Sequence, residues 1–177
     1  MVIAALRRRK QRRVAVMAAY GRIVARARDP RLFAAWAIPD TLDGRFELLA
    51  LHAFLVMNRL KHEPDKEFAQ DLFDTMFADL DRGVREMGAT DVGVGRHVKA
   101  MARGFYGRIS VYDKGLSNEL ELEPALRRNL FGTVEPTQER VAMAARYLRQ
   151  QAAALAAVPV DLLLAGEVPF APWDAPA

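Results

Sequence analysis

Apolar residues recur along this chain at helical spacing and nowhere alternate over any length, so the pattern predicts helices throughout and no strand. The first periodic segment covers roughly 12–28, where Val16, Tyr20, Ile23 and Val24 share a face among arginines. "RDPR" at 28–31 closes it, because proline lacks an amide hydrogen and disfavours helical geometry at the residue before it. A short turn with Leu32, Phe33 and Trp36 follows. "IPDTLDGRF" then supplies turn and capping residues (Pro39, Asp40, Thr41, Asp43, Gly44) ahead of a second helix.

From Phe46 to Leu60 nearly every position is apolar, which predicts a helix at the centre of a bundle. "KHEPD" ends it, and a helix over about 66–87 carries Phe68, Leu72, Phe73, Met76, Phe77 and Leu80 on one face and Glu67, Asp71, Asp74 and Asp81 on the other. Gly88 is its expected stop. A third long helix over about 94–112 stacks Val94, Val98, Met101, Phe105, Ile109 and Tyr112. "YDKGLSNE" leads into a shorter helix with Leu120, Ala125, Leu126 and Leu130, and Thr137 opens a last one to about Ala157. The expected fold is all-α: a single-domain bundle of six to seven helices. Residues 1–19 form a basic arm and helix start, 20–158 the helical domain, and 159–177 a tail that docks at first and then frays.

Composition narrows the chemistry. The chain has 177 residues, 51% hydrophobic and 27% charged, as expected of one globular domain, and no cysteine. That removes disulfides, thiolate nucleophiles and cysteine-held metals. His52, His62 and His97 have no metal-ligand spacing, and no Gly-x-Ser-x-Gly elbow occurs. The net charge of +4 is unevenly placed. Residues 1–28 hold nine cations and no acid, while the remainder holds 17 basic and 22 acidic residues, net −5. Arg7, Arg8, Arg9, Lys10, Arg12 and Arg13 are therefore candidate contacts to an anionic membrane surface or to RNA, including the ribosome. No apolar run approaches the ~20 residues that cross a bilayer. The order of "MVIAALRRRKQRR" also reverses that of a secretory signal, so a cytoplasmic protein, peripheral at most to a membrane, is expected.

Five features remain as candidate sites. The Gly93-x-Gly95 segment matches neither a dinucleotide fingerprint nor a P-loop; a structural turn capped by Asp91 is expected, with an anion nest as the alternative. Arg96, Lys99 and Arg103 form a basic stripe, with His97 beside it and Arg108 toward its margin, either plain surface or a docking face. Asp79 falls on the apolar side of its helix and requires a partner, such as Arg82 or an arginine of another helix, or a partner-contact role. His52 lies among Leu48, Leu49, Leu55 and Val56 as a hydrogen-bonded core histidine; a haem-handling or hydrolytic role with His97 and Asp79 is the remote alternative. "FYGR" at 105–108 joins the apolar area of Phe105 to the polar tip of Tyr106 and the planar cation of Arg108, a composition suited to a protein interface.

"PDTLDGRFELLALHAFLVMNRL", "LFDTMFADLDRGVREMGATDVGVGRHVKAMARGFYGRISVYD" and "LRRNLFG" together resemble the ubiquinol-cytochrome c chaperone family over roughly Tyr20 to Val158. The family's acidic position after the aromatic-rich helix matches Asp79, its helix end Met87 and Gly88, its basic helix start Arg96 and Lys99, and its aromatic pair Phe105 and Tyr106. The resemblance implies a non-enzymatic assembly role for the cytochrome bc1 complex, without a cofactor. The implied partners are cytochrome b or another bc1 subunit, a small partner protein, and the ribosomal exit. The absence of a long amino-terminal extension with a targeting segment makes the chain look like a bacterial member, working on the cytoplasmic face of the inner membrane.

Overall fold

Every residue from Phe46 to Val56 is buried, and the other helices are arranged around that stretch. A computed structural model describes residues 2–64, 66–86 and 91–173. Among those residues the chain forms eight helices and no strand: α1 (Val2–Ala27), α2 (Pro30–Trp36), α3 (Leu42–Leu60), α4 (Glu67–Glu86), α5 (Asp91–Ser117), α6 (Glu119–Arg128), α7 (Gln138–Ala156) and α8 (Val160–Leu164). α3 packs against α1, α5 and α7, while α4 fills the space between α1 and α5, and α6 bridges α5 and α7. One contiguous core joins residues from all eight helices.

The ends of α3 show why this sequence starts a helix where it does. Thr41 accepts a hydrogen bond from the Gly44 amide at 3.2 Å, satisfying one of the free donors of the first turn. Gly44 is required there, because a Cβ would stand 2.1 Å from the Pro39 carbonyl oxygen. Gly166 has a similar constraint with a different cause: its φ of +93° favours glycine, and a Cβ would meet the Ala15 carbonyl oxygen at 2.5 Å.

Five features differ from the sequence-based expectation, the first being α8, a helix where a tail was expected, which makes eight helices among the described residues rather than six to seven. α1 begins at Val2 rather than near residue 12, since residues 4–13 consist only of alanine, leucine, arginine, lysine and glutamine, all strong helix formers. Residues 30–36 form a helix rather than a turn, because Asp29 caps the Arg31 amide at 3.0 Å and Pro30 occupies the first helical position. Gly93 and Gly95 lie inside α5 rather than in a turn, with Val94 between them fully buried. Leu130 lies beyond the Asn129 cap of α6, although it is buried as expected. The expected stop at Gly88 lies outside the described residues, as does the side chain of Asp91.

Two polar joints lock α3 in place. His52 is fully buried; its Nδ1 sits 2.7 Å from the Leu48 carbonyl and its Nε2 2.7 Å from the Tyr147 hydroxyl. A carbonyl can only accept, so Nδ1 carries the proton and Nε2 accepts from Tyr147. The Tyr147 oxygen in turn accepts from Arg26 Nε at 2.9 Å, so one chain of bonds ties α1, α7 and α3 together. Burial lowers the His52 pKa from 6.5 to about 4 and pushes the Tyr147 phenol up to about 12. The second joint is Glu47 with Arg108, two side chains only 10% and 16% exposed. Arg108 donates to both carboxylate oxygens, Nε at 2.7 Å, while its guanidinium lies 5.2 Å from the centre of the Phe46 ring.

The segment after α8 closes the same end of the bundle as the His52 joint. Gln151 bonds both polar groups of the Ala171 backbone, at 2.8 and 3.1 Å, and Arg26 donates to the Ala171 carbonyl at 2.6 Å. Trp173 packs against Trp36 and Tyr147, and the Phe170 ring meets His52 edge-on.

The depressed His52 pKa makes stability depend on pH in a defined direction. Its contribution is complete above the unfolded value of 6.5 and is lost as pH falls toward 4, by about 3 kcal/mol. Burial raises the Glu47 carboxyl, which acts with the opposite sign as pH rises past its ordinary range. The observable is therefore the difference between wild type and His52→Gln in urea unfolding: the variant should lose stability at pH 7.5 and show a flatter slope between pH 6.5 and 4. Parallel curves would contradict a neutral, bonded His52. In the other joint, Arg108→Ala leaves Glu47 buried without its counter-charge and should cost about 3–5 kcal/mol, while Glu47→Leu with Arg108→Met should recover most of that loss. Additive losses in the double variant would refute the pairing.

Candidate functional site

α4 and α5 present the candidate residues on separate surfaces. On α5, positions 96, 99, 103 and 106 recur at spacings of three and four, so Arg96, Lys99, Arg103 and Tyr106 lie along one exposed line. Tyr106 is 58% exposed, yet its ring lies 5.2 Å from that of Phe73 on α4, at an interplanar angle of 32°. Phe73 also contacts Phe77 and Phe105, and Phe105 is fully buried. The line thus ends in an exposed aromatic side chain held against Phe73, which itself packs on the core. Three cations beside a fixed aromatic edge suit an acidic or amphipathic peptide segment.

Arg108 is not part of that line. Five residues past Arg103, it is turned well round the helix and points inward to Glu47, so its role in the fold is to neutralise a buried carboxylate. The backbone at Gly104 is open to this arrangement, since a Cβ there would stand 2.7 Å from an Arg108 guanidinium nitrogen.

Asp79 sits at a different place, on the seam between α4 and α1. It accepts from the Tyr20 hydroxyl at 2.8 Å and has Arg82 at 3.8 Å, with its side chain 41% exposed. The expected pairing with Arg82 is therefore present but longer than the bond from Tyr20. Burial first, then the bond to Asp79, raises the Tyr20 phenol well above its ordinary pKa, so it stays a donor. Asp79 and Tyr20 border a cleft of about 330 Å³ between α1, α3 and α4, whose apolar wall includes Val24, Phe46, Leu49 and Val84. An aliphatic or aromatic side chain fits such a wall, and Asp79 offers an acceptor to any donor beside it.

The amino-terminal cations divide as well. Arg12 pairs with Glu67 and with Asp71, the latter at 2.8 Å, and pins α1 to the start of α4. Its guanidinium pKa is raised first by the Asp71 bond. Arg7, Arg8, Arg9, Lys10 and Arg13 are exposed and form no ion pair among the described residues.

No group of three or more histidine, aspartate or glutamate side chains suited to a metal ion occurs among the described residues. Both His52 nitrogens are taken up by Leu48 and Tyr147, so haem iron could be ligated there only by breaking one of those bonds. The Nε2 of His97 is shielded and has no hydrogen-bond partner among the described residues. Sequence reasoning passed over Glu47, Tyr20 and Tyr147. Glu47 carried a usable signal, being the one carboxylate inside the apolar run of α3. The two tyrosines carried none, because their roles depend on contacts 59 and 95 residues away in the chain.

Comparison with known proteins accounts for nearly the whole chain. The crystal structure of the Cbp3 homolog from Brucella abortus superposes with a TM-score of 0.83 at 33% identity, covering 97% of each chain. The ubiquinol-cytochrome-c reductase complex assembly factor 1 of Xenopus laevis is 29% identical over 164 residues, 90% of this chain and 82% of the frog protein. The mouse and human proteins of that name are each 27% identical, and this chain spans little more than half of their length, 56% and 55%. Residues 34–170, which hold α3 to α8 and the bonding partners of His52 (Leu48 and Tyr147) and Glu47 (Arg108), match the family model for ubiquinol-cytochrome C chaperones, and the chain belongs to that family.

Proposed function

We propose that this protein is a non-enzymatic assembly chaperone of the cytochrome bc1 complex that binds cytochrome b, or its nascent form, during biogenesis. The observation that carries this reading is the similarity over almost the full length to assembly factors named for ubiquinol-cytochrome c reductase and to a bacterial Cbp3 homolog. The site chemistry supports it: His52, Tyr147, Glu47 and Arg108 are consumed in internal bonds, while α5 presents exposed cations and an aromatic edge for contact.

In this reading Arg96, Lys99, Arg103 and Tyr106 on α5 contact the client, and the Asp79 cleft accepts a second element, either client or a small partner protein. Arg108 contributes indirectly, by holding α5 against α3. The protein works at the cytoplasmic face of the membrane that receives cytochrome b, close to the ribosome that makes it. None of its described helices is long and apolar enough to cross a bilayer.

The test is affinity capture from respiring cells, crosslinked before lysis and read by mass spectrometry. Wild type should enrich cytochrome b. Combined Arg96→Glu, Lys99→Glu and Arg103→Glu should lower that recovery at least tenfold while shifting stability by no more than about 0.5 kcal/mol per exposed position. Undiminished recovery removes the α5 line from the contact, and ribosomal proteins without cytochrome b would sink the client assignment.

A further inference from the structure

The outer face of α1 is apolar where a helix bordering only water would be polar. Ile3, Leu6, Val14 and Met17 are 70%, 60%, 64% and 55% exposed. Together with Lys10 they recur at steps of three and four along one line, turned away from the line of Val16, Ala19 and Ile23 that enters the core. Arg7 and Arg13 border that apolar line on either side, and Lys10 lies within it. Residues 3–11 are exposed all round, so this half of α1 projects beyond the bundle. No acidic residue occurs in 1–28.

We propose that this face of α1 lies in the headgroup region of an anionic phospholipid bilayer. Ile3, Leu6, Val14 and Met17 face the acyl boundary and Arg7, Lys10 and Arg13 meet lipid phosphates. The pattern distinguishes a bilayer from the other polyanion that the cations alone would suit. RNA phosphates would engage the arginines but leave four large apolar side chains in water. A bilayer interface takes both, and an amphipathic helix with cations on its flanks is the form that binds it. Lys10 does not break the stripe, because its aliphatic stem packs with the apolar neighbours while its ammonium reaches the headgroups. A second copy of the chain is disfavoured, since two acid-free stripes would bring like charges together. Arg12 is excluded from the contact, being held inward by Glu67 and Asp71. The proposal deepens the membrane-facing part of the functional reading, and its outcome is independent of which client is bound.

The test uses the full chain in flotation assays with phosphatidylglycerol–phosphatidylcholine vesicles, pure phosphatidylcholine vesicles, and polyuridylate as the RNA probe. Wild type should float with the anionic vesicles and not with the neutral ones. Arg7→Gln with Lys10→Gln and Arg13→Gln should reduce partitioning on the order of a hundredfold. Leu6→Gln with Met17→Gln, which removes no charge, should reduce it by about tenfold or more and leave any polyuridylate binding unchanged. Circular dichroism and unfolding midpoints matching wild type separate lost binding from lost fold. The proposal is overturned if wild type ignores anionic vesicles, or if binding depends on the cations and is indifferent to Leu6→Gln with Met17→Gln.

Discussion

The structure depends on keeping α3 dry. Eleven consecutive residues, Phe46 to Val56, are buried, so the helix has no face on which a polar side chain can reach water. Two of the eleven are nonetheless Glu47 and His52. An unpaired carboxylate or an unbonded imidazole in that position would cost several kcal/mol, comparable to much of the stability of a domain. Each is answered from a different direction: Glu47 by Arg108 on α5, and His52 by Tyr147 on α7, itself held by Arg26 on α1. Apolar packing alone allows helices to slide and rotate against one another. These two directional joints define how α1, α5 and α7 sit around the centre, and hence which faces of α1 and α5 look outward.

Much of the fold was legible because periodicity reports burial directly. The nearly all-apolar run of 46–60 marked the central helix, and the turn and capping residues Pro39, Asp40, Thr41, Asp43 and Gly44 placed its start. The helix of 30–36 was missed because seven residues carry too few repeats for a period to emerge, although the Asp29–Pro30 pair held the signature. The glycines at 93 and 95 suggested a turn from local preference, but burial of Val94 outweighs the modest helix penalty of glycine. In the candidate site, the Arg96, Lys99 and Arg103 stripe followed from helical spacing alone, while Tyr106, read separately with Phe105 and Arg108, joins that stripe in the structure. Arg108 was placed at the margin of that line, and what turned its role inward was a partner 61 residues away that no local pattern encodes. The Tyr20 bond to Asp79 was hidden for the same reason.

The division between inside and outside also orders the functional surfaces. Side chains with chemistry of their own, His52, Tyr147, Tyr112 and Glu47, are buried, and the first three titrate far from their ordinary ranges because charging them in the core is unfavourable. Such groups hold a scaffold. Two groups of accessible cations lie in lines along a helix, one on α5 beside Tyr106 and one on the projecting half of α1. On the proposed reading, one of these surfaces meets the bilayer and the other the client, with the core between them.

An assembly role is tested most directly in cells lacking this protein. Reduced-minus-oxidised spectra of their membranes, together with ubiquinol–cytochrome c reductase activity normalised to another respiratory complex, report whether cytochrome b matures. A selective fall in the cytochrome b signal and in bc1 activity, restored by the wild-type gene, is expected. Normal cytochrome b content and unchanged bc1 activity in the deleted strain would contradict it.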